Sequence, residues 1–149
     1  MKDTALPAMS EEELDACVSI AIRRAEILDD AGSPNASEAW KEVLLYEERL
    51  ARITPPAVIA GGIARVGAVR AALASGQRGE AKRLATGFLA EKSLSFERRA
   101  AINRAFEEDQ DYLAQRFPCL ARTGRLSELD EWRAKALASP RVFPWAWAL

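Results

Sequence analysis

The chain contains no histidine and only two cysteines, Cys17 and Cys119, among its 149 residues. Without an imidazole there can be no Ser/His/Asp or Cys/His nucleophile system, no histidine-containing zinc site and no imidazole proton shuttle. Two thiols cannot complete a thiolate metal site. Both fall inside apolar patterns, where reduced core thiols are expected rather than a disulfide. A phosphate-cradling loop is missing as well, since Gly61, Gly62 and Gly67 lie within a helical pattern with no strand before them. No metal or cofactor is expected, and a non-enzymatic protein is favoured.

A charge excess of either sign is also missing. The 21 basic and 22 acidic residues leave a net charge of −1, too little to draw the whole molecule to nucleic acid or to an anionic membrane. Most of the cations are arginine, which together with frequent alanine suggests a GC-rich genome, and a bacterial protein is expected. The first residues, MKDTALPAMSEEELDAC, lack the basic start and continuous apolar core of a signal peptide, so a cytoplasmic protein is expected. At this length and 49% hydrophobic content the chain suits one domain with a sizeable core.

No stretch alternates apolar and polar residues as a half-buried strand would, and the fold class expected is all-α. About six helices are expected, arranged as three antiparallel αα-hairpins, either a short solenoid-like stack or a compact helical bundle. The domain division is a flexible N-terminus over 1–10, one helical domain over 11–139 and a proline-rich aromatic tail over 140–149. Ser10 with Glu13 forms a capping box for a first helix reaching about Ala31, with Leu14, Cys17, Val18, Ala21, Ile22, Ala25 and Leu28 inward and Ile20 and Ile27 widening that stripe. Ser33 and Pro34 are expected to open a second helix that ends near Ile53. Gly32, Gly76 and Gly124 each separate an outgoing helix from an incoming one, 44 and 48 residues apart. Such spacing suits stacked helix pairs, which favours the solenoid-like arrangement.

The chain is expected to be organised around Thr54 to Gly76. Thr54 is read as an N-cap with Pro55 in the first turn, and Gly76 as the left-handed exit. On the helical wheel Val58, Ile59, Ile63, Val66, Val69 and Leu73 fall within an arc of about 140°, opposite an arc of alanine and glycine, so neighbours are expected on both sides, one of them unusually close, and this helix is expected to be the most buried. Arg65 and Arg70 argue against a membrane span. Arg70 projects within the bulky arc between Ile59 and Ile63, where a guanidinium requires an internal carboxylate or a bound anion. A fourth helix is expected from about Glu80 to Lys92. Ser95 is read as the cap of a fifth, with Ile102, Phe106, Leu113 and Phe117 inward and bent or broken at Pro118. Ser127 is read as the cap of a sixth.

The remaining candidate sites are weaker. Glu107, Glu108, Asp109 and Asp111 are the densest acidic group, and Glu107, Glu108 and Asp111 are expected on a solvated face, with Arg104 paired to Glu108. Arg98, Arg99 and Arg104 near Phe96 make a small basic patch, diluted by acids, so nucleic-acid binding ranks third. The tail SPRVFPWAWAL carries Phe143, Trp145 and Trp147, suited either to capping the core or to anchoring a partner. Together these features favour a protein–protein interaction module, an adaptor, chaperone or inhibitor, with Phe143, Trp145 and Trp147 as anchors. The alternative is a helical domain binding a small anionic ligand through Arg70. The expected partner is another protein rather than a membrane, and a homo-oligomer is compatible with the pattern.

Overall fold

The computed structural model describes residues 7–116. Within them lie five α-helices and no strand: α1 Glu11–Asp30, α2 Ala36–Ile53, α3 Ile59–Ala74, α4 Arg78–Leu89 and α5 Phe96–Arg116. The described residues are therefore all-α and compactly packed. The expected sixth helix and the C-terminal tail lie outside them.

Local chemistry accounts for several ends. At α1 the Ser10 hydroxyl accepts from the Glu13 N–H and the Glu13 carboxylate accepts from the Ser10 N–H, each at 3.2 Å, a complete capping box. Gly32 at φ 63° closes that helix: its N–H donates to Asp29 O and the Ser33 N–H to Leu28 O. Gly76 at φ 78° repeats the geometry, with N–H bonds from Gly76 to Leu73 O and from Gln77 to Ala72 O. Both are Schellman ends, which need the left-handed conformation that glycine adopts without penalty. Ser95 caps α5, accepting from the Arg98 N–H at 3.2 Å.

Two helix starts differ from expectation. Helix α2 begins at Ala36, after Pro34 and Asn35, and the Ser33 hydroxyl accepts from the Asn35 N–H within the preceding turn. Thr54 does not begin α3. It ends α2 in an extended conformation, its N–H and its hydroxyl both donating to Leu50 O. Pro55 explains this, because a residue preceding proline is pushed out of the α region. Pro55 to Ala57 then form the connection, and α3 starts at Ile59.

Helix α2 runs antiparallel to α1. Leu14 and Val18 near the start of α1 pack on Leu50 and Ala51 near the end of α2, while Ala21 and Ala25 share a core with Ala39 and Val43. Helix α3 runs antiparallel to α2, with the Ser37 hydroxyl at the start of α2 donating to Ser75 O beyond the end of α3, at 3.2 Å. Helix α5 lies along α3 in the same direction, from Gly62 against Arg98 to Arg70 beside Glu108. Thus α3 packs against α2, α4 and α5, the central position expected of it.

Helix α3 is packed on both its small-residue and bulky faces, as expected, but part of the bulky arc stands open to solvent. Its small residues Gly61, Gly62, Ala64, Ala68, Ala71 and Ala72 are buried with Val66, Val69 and Leu73. Ile59 is 75% exposed and Ile63 50%. Close approach decides this arrangement. A Cβ on Gly61 would lie 2.0 Å from Pro55 O, and one on Gly67 2.2 Å from the Glu47 carboxylate. Ile20 and Ile27 are likewise exposed rather than widening the stripe of α1, and Ile53 is half exposed. In the narrow stripe of α5, Ile102 and Leu113 are fully buried and Phe106 partly so, as expected, while Phe117 lies outside the described residues.

Candidate functional site

Three features of α3 bear on function: a buried cation, a carboxyl seated against its backbone, and an outward face. The buried cation is Arg65, 5% exposed, rather than Arg70. Its Nε and Nη2 donate to the two carboxylate oxygens of Glu91 at 2.8 and 3.0 Å, and Nη1 donates to Thr54 O at 3.0 Å and Gly61 O at 2.9 Å. The Phe88 ring lies against it, 5.6 Å from its Cζ. A forked guanidinium suits this planar pairing. It ties the end of α2, the start of α3 and the segment after α4 into one unit. Arg99 does similar work nearby, donating to the carbonyls of Leu89, Glu91 and Leu94.

Arg70 is placed differently from the expectation. It stands on the solvent side of α3, its nearest carboxylate oxygen on Glu108 at 4.0 Å, both side chains more than half exposed. It therefore has no apolar pocket around it, and the premise of an anion held in one is corrected. Glu108 pairs toward Arg70 rather than with Arg104. Glu107, Glu108 and Asp111 are solvent-exposed. Because Arg99 is engaged with carbonyls, the basic patch at the start of α5 is reduced to Arg98 and Arg104. Phe143, Trp145 and Trp147 lie outside the described residues.

Glu47 is the group that sequence reasoning missed. It sits on the inner face of α2, 4% exposed, with its carboxyl in the notch left by Gly67. No hydrogen bond or ion pair to it forms among the described residues. Burial, and then the nearby charge of Asp15 on α1, push its carboxyl up to about 7 from an ordinary 4.5. A usable signal was present, because position 47 lies four residues after Val43 and three before Leu50, in the middle of the apolar stripe.

The outward face of α3 joins Ile59, Ile63 and Arg70, spaced so that they share one side of the helix. Val58, immediately before, is half exposed. Beside this face, at the end of the molecule where α1 starts, α2 ends and α3 starts, lies an open groove of about 540 Å³. Ser10, Glu11, Glu12 and Asp15 of the α1 end, Leu50 of α2 and Ala60 of α3 line it. Among the described residues no group of three or more cysteine, aspartate or glutamate side chains is gathered closely enough to hold a metal ion, and no helix is long and apolar enough to cross a membrane. No protein-family model, curated protein or solved structure matches the chain.

Proposed function

We propose that this protein is a helical interaction module that binds another protein through the outward face of α3. One observation carries the reading: Ile59 and Ile63, one turn apart on the helix that otherwise forms the centre of the core, and Val58 just before it are large aliphatic side chains standing half to three-quarters exposed. Scattered exposed apolar residues need no explanation, but a cluster on one rigid helix face is the usual composition of a contact surface. Arg65 and its four hydrogen bonds hold this end of α3 in place, so the face is presented pre-organised, which lowers the entropic cost of binding. Phe143, Trp145 and Trp147 are chemically suited to serve as further anchors for the same partner.

The test compares proteins retained from host lysate by the full chain with those retained by an Ile59→Ser/Ile63→Ser variant of matched folded content. Specific loss of one or a few proteins with the variant is the expected result. Identical retention by both chains would reject the surface.

A further inference from the structure

The groove beside α3 carries the reading further, to the chemistry of the partner. One wall belongs to the first turns of α1, where Glu11, Glu12 and Asp15 are exposed and line the space. None of the three has an ion pair among the described residues. Capping does not account for them, since the capping box uses Glu13 alone, and the helix dipole attracts carboxylates without requiring that they face a groove. The floor is Leu50 and Ala60. On α3, Ile59 immediately precedes Ala60 and Ile63 follows it by one turn, outside the groove lining but within reach of a segment that extends past Ala60. Acid on one side and aliphatic side chains on the other make a surface with a polarity.

A metal ion does not match it, because the carboxylates are too dispersed for chelation. A ligand carrying several separated positive charges and an apolar edge does. Resting on the interaction reading above, we infer that the α1–α3 groove receives a basic amphipathic segment of a partner protein, with lysine or arginine side chains against Glu11, Glu12 and Asp15 and aliphatic side chains against Ile59 and Ile63. Charge complementarity makes the choice of partner. An acidic segment or an anionic lipid surface would meet three unneutralised carboxylates at close range, and like-charge contact of that kind excludes partners strongly.

The experiment uses the full chain and synthetic amphipathic peptides of about 15 residues, with leucine at helical spacing and either lysine or glutamate elsewhere, measured by fluorescence anisotropy at low and high salt. The lysine series is expected to bind, to weaken about tenfold in a Glu11→Gln/Glu12→Gln/Asp15→Asn variant, and to weaken at high salt. A lysine peptide with serine in place of leucine is expected to bind more weakly, and Ile59→Ser/Ile63→Ser to erase the difference between the two. Vesicles containing anionic lipid are expected to show no binding. Equal binding of the glutamate series, or full affinity in the charge-neutralised variant, would overturn the inference while leaving the aliphatic face of α3 as a contact surface. Absence of binding by every peptide would also overturn it, and the lysate comparison would then judge the interaction reading separately.

Discussion

Replacing Glu47 with glutamine gives the sharpest test of how the helices fit together. The amide has the shape of the carboxylic acid and can occupy the same notch beside Gly67, but it does not titrate. In the folded chain burial and the charge of Asp15 hold the Glu47 carboxyl at about 7, against an ordinary 4.5. Unfolding releases it to water. Between these two values the folded state keeps a proton that the unfolded state has lost, so raising the pH withdraws stability. At about 1.4 kcal/mol per pH unit the full withdrawal is about 3 kcal/mol. It begins near 4.5, is complete near 7, and adds nothing beyond. The assay is urea unfolding followed by circular dichroism for both chains from about pH 5 to pH 8 at fixed ionic strength, with the difference between them plotted against pH. Other titrating groups, including Glu48, raised chiefly by burial, and Glu80, lowered chiefly by its hydrogen bonds from Arg83, cancel in that difference. Glu47→Gln should gain on the parent chain steadily as pH rises toward 7 and then run parallel to it. Parallel curves throughout would mean that the carboxyl is hydrated in the folded state, and the reasoning from burial would fail. Asp15→Asn should shift the transition modestly downward, since its charge is the second cause and not the first.

The packing of α3 sets the outcome of four further substitutions. Arg65→Met should cost about 3–5 kcal/mol in chemical unfolding, because it strands the partly buried Glu91 carboxylate and takes a donor from the Thr54 carbonyl, whereas Arg70→Met should change stability by less than about 1 kcal/mol, as an exposed pair at 4.0 Å contributes little. Gly61→Ala should destabilise by more than the usual 1–3 kcal/mol or so of overpacking, since the methyl meets the Pro55 carbonyl of a fixed connection. Gly67→Ala meets only a side chain, so adding Glu47→Ala should recover most of its loss, and a double-mutant cycle reads that coupling directly.

Much of the fold was legible in sequence because its signals are local. The Ser10–Glu13 box, the glycine exits at Gly32 and Gly76 and the Ser95 cap each involve residues within a few positions of one another, and each stands where expected. The start of α3 was misplaced because two local signals competed at Thr54. The steric effect of Pro55 outweighed the capping tendency of the hydroxyl, which turned back to Leu50. That α3 packs on both sides, with close neighbours at its small residues, was legible; which part of its bulky arc stays open to solvent was not. That depends on how closely the Pro55 carbonyl and Glu47 approach the glycines, and these contacts exist only once three segments meet. The opening of the bulky arc to solvent also decides which arginine is buried: Arg65, at the margin of that arc, and not Arg70 within it. Glu47 is hard to read because an isolated glutamate on a helix ordinarily faces solvent. Its place in the stripe of α2 was the better guide.

The central claim is that the outward face of α3 meets another protein, and a photo-crosslinking amino acid placed at Ile63 tests it most directly. The control carries the same amino acid at Lys82, an exposed position on α4. Irradiation in host cells should give a discrete adduct of fixed mass from position 63, abolished when Ile59→Ser is added, and no such adduct from position 82. The same diffuse labelling from both positions would contradict the account.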